Sequence, residues 1–213
     1  PAFDPIAFLG QAESLGIRRF DTSPRYGNSE AILGKYLRHS KSCLSVSSKI
    51  DNLKPGNPDT PCRMRVNVEA SLEKLHLDTL DICYLHQNEL EIISDPYVHE
   101  GLMQLKEKHL IQNTGVSLYS FEECDYALQS GLFDAIQIPV NICDISFYNR
   151  FIKQASPKTK FIVRSLLLQG TLINRRKISS RIKQSDEIVD YLEQLDRLAS
   201  EQGFTLLQLA LAF

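Results

Sequence analysis

The chain has 213 residues, of which 43% are hydrophobic and 23% are charged, and its formal net charge is -2 at pH 7. This length and composition are ordinary for a soluble globular protein, so we expect one domain over residues 1–213. The small net charge gives no electrostatic basis for nucleic acid or an anionic membrane as a partner.

Five cysteines are spread along the chain, and none of them form a C-x-x-C motif. An odd, scattered set argues against a disulfide framework and a zinc site, and it fits a reducing cytoplasm. Cys83 and Cys143 lie in apolar runs, where we expect small core residues. No apolar run approaches the roughly 20 residues of a membrane span and no signal peptide is visible, so we expect a cytoplasmic protein.

Helical and strand patterns alternate along the chain. The predicted helices cover residues 3–16, 29–38, 63–75, 97–108, 121–130, 147–155, 186–202 and 205–213. The predicted strands cover residues 17–21, 44–49, 79–86, 111–117, 133–139 and 160–166. In the third helix, Val66, Ala70 and Leu72 are the predicted buried positions.

Apolar strands separated by amphipathic helices predict an α/β fold with a parallel sheet covered by helices. Such a sheet is either open and doubly wound or closed into a barrel. A dinucleotide-binding fold normally has G-x-G-x-x-G after its first strand, and this sequence contains none. The pattern therefore favours a TIM-type (β/α)8 barrel, although it supplies only about six of the eight strands.

Residues 20–37, FDTSPRYGNSEAILGKYL, predict the end of a strand, a loop and a helix. A Ser-Pro pair breaks the strand, and Asn28 or Ser29 can cap the helix. Asp21 and Tyr26 are thereby expected at the carboxyl-terminal edge of the sheet, where α/β folds assemble their sites.

Two more polar residues stand at predicted strand ends, Lys49 in LSVSSKI and His86 in LDICYLHQNE. The stretch FDTSPRYGNSEAILGKYL resembles the aldo-keto reductases, and this resemblance implies carbonyl reduction by hydride transfer. The reaction leaves a negative oxygen that must be protonated, and an unperturbed tyrosine is a poor donor for that task near neutral pH. An ammonium at Lys49 beside Tyr26 would favour the tyrosinate, and Asp21 would hold the lysine charged and in place. His86 can donate a hydrogen bond that orients the substrate oxygen.

Each of these residues also has an ordinary structural explanation. A strand-end Asp-Lys pair usually belongs to the scaffold, and a lone histidine is more often satisfied by the backbone than catalytic. The combination of four unlike residues at strand ends is what predicts a site. A metal site at His86 is the competing hypothesis, but no second histidine lies at ligand spacing from it, so we predict no metal.

The stretch FDTSPRYGNSEAILGKYL resembles the strand-two signature of the aldo-keto reductases, which pair a strand-end Asp with a Tyr in a YGxSE loop. The resemblance implies a TIM barrel and an oxidoreductase that reduces an aldehyde or ketone with NADPH and a tyrosine general acid. It also implies a catalytic tetrad, which in this chain is Asp21, Tyr26, Lys49 and His86.

The resemblance also implies cofactor contacts. Ser117 and Gln137 match positions that bind the nicotinamide carboxamide, Arg164 matches one that lies against the nicotinamide ring, and Ser165 is expected near the pyrophosphate. Leu118 stands where the family often has Asn, which removes one expected carboxamide contact. As an alternative, Gln137 satisfies a polar network inside the barrel.

The segment NRRKISSRIK, residues 174–183, carries five basic side chains. It is either a solvated loop or a loop that meets the cofactor phosphates. In the resembled family the adenosine 2'-phosphate site lies in and after strand eight, beyond Phe213. NADPH is therefore expected because the resembled family usually uses it, and NADH is not excluded. The sequence does not indicate the carbonyl substrate or the oligomeric state.

The resemblance identifies the two strands that are lacking. The chain begins in the first helix of the barrel and stops at LLQLALAF, where the family enters strand eight, so strands one and eight are lacking. Their loss would leave unpaired parallel edges, which native proteins avoid. We therefore expect part of a longer polypeptide or a degenerate product, and two alternatives stay open: an inactive barrel that senses a cofactor or binds a partner, and a truncated relative without function.

Overall fold

A computed structural model describes residues 3–154, 159–172 and 185–213. Within them the helices are α1 (Pro5–Ser14), α2 (Ser29–Leu37), α3 (Thr60–Leu75), α4 (Leu90–Ile93), α5 (Pro96–Glu107), α6 (Phe121–Ser130), α7 (Ser146–Arg150), α8 (Ser185–Glu201) and α9 (Leu206–Ala212). The strands are β1 (Arg19–Asp21), β2 (Ser45–Ile50), β3 (Leu80–Leu85), β4 (Ile111–Ser117), β5 (Ala135–Pro139) and β6 (Lys160–Arg164). Short 3-10 turns cover Ile152–Gln154 and Leu168–Gly170.

The strands form one sheet in chain order, from β1 to β6. Each of the first four strands pairs in parallel with the next, as shown by partners such as Asp21 with Ser47 and Ser117 with Gln137. Parallel neighbours in chain order, joined by helices, are the repeating unit of a TIM barrel. The structure confirms the predicted α/β class and the six strands.

The chain divides into two compact units. The first contains Pro1–Gln137 with Pro157–Lys160, and the second contains Ile138–Ser156 with Phe161–Phe213. The expectation of a single domain stays a prediction. In the second unit, Leu172, Leu192, Leu206 and Ala210 form a buried apolar cluster.

Helix α3 packs its inner face through Met64, Val68, Leu72 and Leu75, which are spaced at helical intervals of three and four residues. The predicted buried position Leu72 is confirmed. Val66 is 53% exposed, and Ala70 is exposed as well, so those two predictions were wrong. Each of the two residues lies two positions from a buried residue, which corresponds to about 200° around the helix axis, so both face away from the buried side.

Two further features differ from the sequence predictions. Helix α3 begins at Thr60 rather than three residues later, because Pro61 occupies its first turn, where the missing N–H costs nothing. Cys83 is buried as expected, whereas Cys143 is exposed, so the prediction of a core thiol there was wrong. Its apolar neighbours in the sequence lie in the turn before α7 instead of a strand.

The basic segment 174–183 lies outside the described residues. No helix in the described part of the chain is long and apolar enough to cross a membrane.

Candidate active site

The loop after β1 is held by its own backbone. The Tyr26 amide donates to the Ser23 carbonyl at 2.9 Å, and the Tyr26 carbonyl accepts from the Ser29 amide at 3.1 Å. Gly27 adopts a φ of 60°, in the left-handed region that favours glycine, and thereby completes the turn into α2. The loop leaves Tyr26 49% exposed, at the carboxyl-terminal edge of the sheet.

Lys49 is a buried cation at the end of β2. Its side chain is only 2% exposed, and a buried ammonium is costly unless it is paired and hydrogen-bonded. Its Nζ forms an ion pair with the Asp21 carboxylate, and it donates to the Thr22 carbonyl at 2.9 Å. The end of β1 therefore fixes the position and charge of this lysine.

Tyr26 and His86 surround the same lysine. The Lys49 Nζ lies 5.0 Å from the centroid of the Tyr26 ring, and the rings of Tyr26 and His86 meet edge to face with centroids 6.2 Å apart. The structure thus brings Asp21, Tyr26, Lys49 and His86 together. Among the described residues the Lys49 Nζ donates to Asp21 and Thr22, and no hydrogen bond joins it to the Tyr26 hydroxyl.

A second tyrosine, Tyr84, also lies against Lys49, with the ammonium 5.8 Å from its ring centroid. Tyr84 is 1% exposed. Burial raises the pKa of Tyr84, and the carboxylates of Asp21 and Asp81 raise it further. Of these two phenols beside Lys49, Tyr26 is the accessible one.

His86 directly follows β3, and its amide donates to the Ile50 carbonyl at 2.9 Å. Its Nδ1 lies 3.5 Å from a carboxylate oxygen of Asp51, a residue to which the sequence analysis assigned no role. Burial lowers the pKa of His86, Asp51 acts in the opposite direction, and Lys49 and Arg25 lower the pKa further. The signal that could have identified Asp51 is a carboxylate directly after a buried strand.

Ser117 and Gln137 form a polar network with the tetrad. The Ser117 hydroxyl donates to Gln137 Oε1 at 3.0 Å, and Gln137 Nε2 donates to the Asp21 carboxylate at 2.8 Å. Both residues are buried. In this structure Gln137 thus takes part in an internal polar network, which is the alternative considered for it above. Asp21 is a partner of both Lys49 and Gln137.

The other two predicted cofactor residues lie in the second unit. Arg164 ends β6 and donates from Nη1 to the Ser165 hydroxyl at 3.3 Å. Ser165 has a φ of 60°, in the left-handed region. Leu118, the departure from the family pattern, is completely buried, and its amide donates to the Gln137 carbonyl at 2.9 Å.

Sequence reasoning also missed the role of Glu30 from the YGNSE loop. It is buried in the first turn of α2, where the helix dipole favours a carboxylate. The Ser48 hydroxyl donates to its Oε1 at 2.8 Å, and the Lys74 Nζ lies 3.7 Å from its Oε2. Glu30 therefore ties the helix that follows the Tyr26 loop to β2 and α3.

The described residues contain no group of three or more His, Cys, Asp or Glu side chains arranged to hold a metal ion. The chemistry of this site is that of a phenol, an ammonium, a carboxylate and an imidazole at neighbouring strand ends.

Comparisons with known proteins identify relatives of this chain. The chain is 27% identical over 228 residues to D-arabinose 1-dehydrogenase from Saccharomyces cerevisiae, an alignment that covers 93% of this chain and 65% of that protein. The chain thus spans less than two thirds of the length of this relative.

Two solved structures show the same fold. Glycerol dehydrogenase from Gluconobacter oxydans superposes with a TM-score of 0.77 and 24% identity over 98% of this chain and 73% of its own. An aldo-keto reductase from Klebsiella pneumoniae in complex with NADPH superposes with a TM-score of 0.73 and 19% identity over 96% of this chain and 68% of its own. These likenesses confirm the predicted TIM-type barrel architecture. A family model matches residues 4–213, and the chain therefore belongs to the aldo/keto reductase family.

Proposed function

We propose that this chain carries the active site of a cytoplasmic oxidoreductase that reduces an aldehyde or ketone to an alcohol with a nicotinamide cofactor, NADPH by family habit. One observation carries the proposal. The exposed phenol of Tyr26 stands beside Lys49, a buried ammonium that Asp21 pairs. This is the combination that a proton donor to a developing alkoxide requires.

Each member of the tetrad has a distinct task in this proposal. Tyr26 donates the phenolic proton to the substrate oxygen as negative charge develops there. Lys49 stabilises the phenolate that remains, and Asp21 holds Lys49 charged and in place. His86 faces the same space and orients the substrate oxygen.

The nicotinamide, when bound, supplies the hydride that adds to the carbonyl carbon. The hydrogen-bonding capacity of Ser117 and Gln137 fits its carboxamide. Ser117 uses its hydrogen on Gln137, and Gln137 uses one amide hydrogen on Asp21. The Ser117 hydroxyl oxygen can still accept a hydrogen bond from the carboxamide N–H. The second amide hydrogen of Gln137 can donate to the carboxamide C=O.

We propose that Arg164 and Ser165 contribute the remaining cofactor contacts. Arg164 ends a strand, and its planar guanidinium is suited to stack on an aromatic ring. Ser165 would bind a pyrophosphate oxygen through its hydroxyl.

The test compares Tyr26→Phe with Tyr84→Phe, since both residues lie against Lys49 and only one is exposed. Carbonyl reduction is followed by the loss of NADPH or NADH absorbance over a panel of aldehydes and ketones. Tyr26→Phe is expected to lower kcat by about 10²- to 10⁴-fold, the contribution of a general acid, with cofactor affinity unchanged. Tyr84→Phe keeps its ring against Lys49 and is expected to retain the parent rate.

Turnover by Tyr26→Phe at the parent rate would contradict the assignment of the acid. A parent chain that binds cofactor and reduces no carbonyl would instead favour the cofactor-sensing or partner-binding module.

A further inference from the structure

An ion pair beside the site joins Arg25, the residue before Tyr26, to Asp51, the residue that follows β2. Its two members differ in exposure. The Arg25 side chain is 59% exposed, whereas the Asp51 side chain is 8% exposed. A molecule that approaches this pair from solvent therefore meets the guanidinium rather than the carboxylate.

The guanidinium is held in place from its inner side. Its Nε contacts Oδ2 of Asp51, and Oδ1 of the same carboxylate accepts a hydrogen bond from the Asn52 amide at 2.8 Å. The Arg25 amide donates to the Ser23 hydroxyl at 3.2 Å, so the backbone at this position is fixed as well. Because these contacts already restrict the arginine, a ligand that binds it costs little further side-chain freedom.

Asp51 also places the guanidinium within the candidate site. The Oδ2 atom that contacts Arg25 lies 3.5 Å from Nδ1 of His86, so the guanidinium and the imidazole lie on either side of one oxygen atom. The ring of His86 in turn meets the ring of Tyr26 edge to face, with centroids 6.2 Å apart. The exposed cation therefore lies next to the two residues that would contact a substrate carbonyl.

The hydrogen-bond donors of this guanidinium are only partly used. Arginine has five N–H donors in a planar fork. In the described part of the chain Asp51 engages Nε, and no hydrogen bond engages Nη1 or Nη2. Two terminal nitrogens side by side match the two oxygens of a carboxylate. Because Asp51 already balances part of the charge, the arginine suits a monoanion better than a phosphate dianion.

We propose that Arg25, held by Asp51, binds a carboxylate group of the substrate. The substrate class is an aldehyde or ketone that also carries a carboxylate. The carbonyl part of this inference rests on the proposed function, whereas the carboxylate site requires no turnover.

The kinetic test compares succinic semialdehyde with butanal, which has the same number of carbons and no carboxylate. The ratio of kcat/KM for the semialdehyde to kcat/KM for butanal is measured in the parent, Arg25→Gln and Arg25→Lys. We expect the ratio to fall roughly 10- to 100-fold in Arg25→Gln, the worth of a hydrogen bond to a charged group. The loss is expected mainly in KM, because the carboxylate is remote from the reacting carbon. Arg25→Lys keeps the charge without the fork and is expected to lose less.

Arg65→Gln is the matched control, since Arg65 also pairs with a carboxylate, that of Glu69 on the same helix at 3.2 Å. This control is expected to leave the ratio unchanged. A merely structural role of Arg25 in the Tyr26 loop would lower the turnover of both aldehydes alike. An unchanged ratio in folded Arg25→Gln therefore overturns the proposal.

A binding measurement separates this proposal from the proposed reduction. 4-Fluorobenzoate and the neutral 4-fluorobenzamide are titrated with the parent chain and followed by 19F NMR, without and with NADPH. We expect the parent to bind the benzoate at least roughly tenfold more tightly, and Arg25→Gln to lose this preference. Equal affinity for the two compounds, or binding of neither, overturns the proposal even if no Arg25 variant folds. A preference for the benzoate without reduction of any carbonyl would support the carboxylate site and count against the proposed function.

Discussion

Gly34→Ala is expected to damage the packing of the helix that follows the Tyr26 loop. A Cβ at position 34 would lie 2.0 Å from the backbone carbonyl oxygen of Lys74 and 2.9 Å from the Cα of Leu75. The first distance is about 1.4 Å short of the 3.4 Å at which ordinary contact begins. Because the obstacle is the backbone of α3, the two helices must separate.

The cost is expected at the upper end of the range for overpacking, about 3 kcal/mol. For a protein of this size, that corresponds to a fall in Tm of roughly 6–12 °C. The matched control is Gly10→Ala in α1, where the new Cβ meets only Tyr36 Cε2 at 3.8 Å. This change removes a glycine from a helix interior and is expected to raise stability by up to about 1 kcal/mol.

The assay is thermal unfolding of the parent and both variants, followed by circular dichroism. A Gly34→Ala variant that melts within about 1 °C of the parent would refute the packing argument, because it would mean that α2 and α3 separate without cost.

Three further outcomes are expected. Replacement of Lys49 by Met should lower carbonyl reduction by at least about 10²-fold and should also lower the Tm, because it leaves the Asp21 carboxylate without its cationic partner; an unchanged Tm would contradict this. Burial raises the pKa of the Cys83 thiol to about 12. Iodoacetamide should therefore leave Cys83 unmodified in the native protein and alkylate the exposed Cys43. Labelling of Cys83 in the native protein, detected by mass spectrometry, would count against its burial. The pKa of His86 is lowered by burial, so its contribution to stability is present above about pH 6.5 and is lost as the pH falls through the folded-state pKa. The parent should therefore lose more stability than His86→Gln between about pH 7 and pH 5, as measured by denaturant unfolding, and equal losses would argue against the shift.

The strands were predictable because their signals are local. β4 was predicted residue for residue over Ile111–Ser117, where three β-branched residues, Ile111, Thr114 and Val116, favour a strand. The strand-end positions of Asp21, Lys49 and His86 then follow from the rule that parallel strands end at one edge of a sheet.

Contacts between segments were not predictable, because they depend on rotation about helix axes and on side-chain reach. Val66 was predicted to be buried, and it is 53% exposed because Met64 and Val68 form the inner face of α3 and Val66 lies on the opposite side of the helix. The approach of Asp51 to His86 depends on the register of β2 against β3. A sequence pattern shows that a polar residue follows a strand, and it does not show which neighbour that residue meets.

The most direct test of the proposed function is a calorimetric titration of the parent chain with NADPH and, separately, NADH. Binding tests the predicted contacts of Ser117, Gln137, Arg164 and Ser165 together. We predict saturable binding of at least one of the two cofactors, with a rise in Tm that grows with cofactor concentration, as mass action requires. Absence of binding by both cofactors would contradict the proposal that this chain carries a working reductase site.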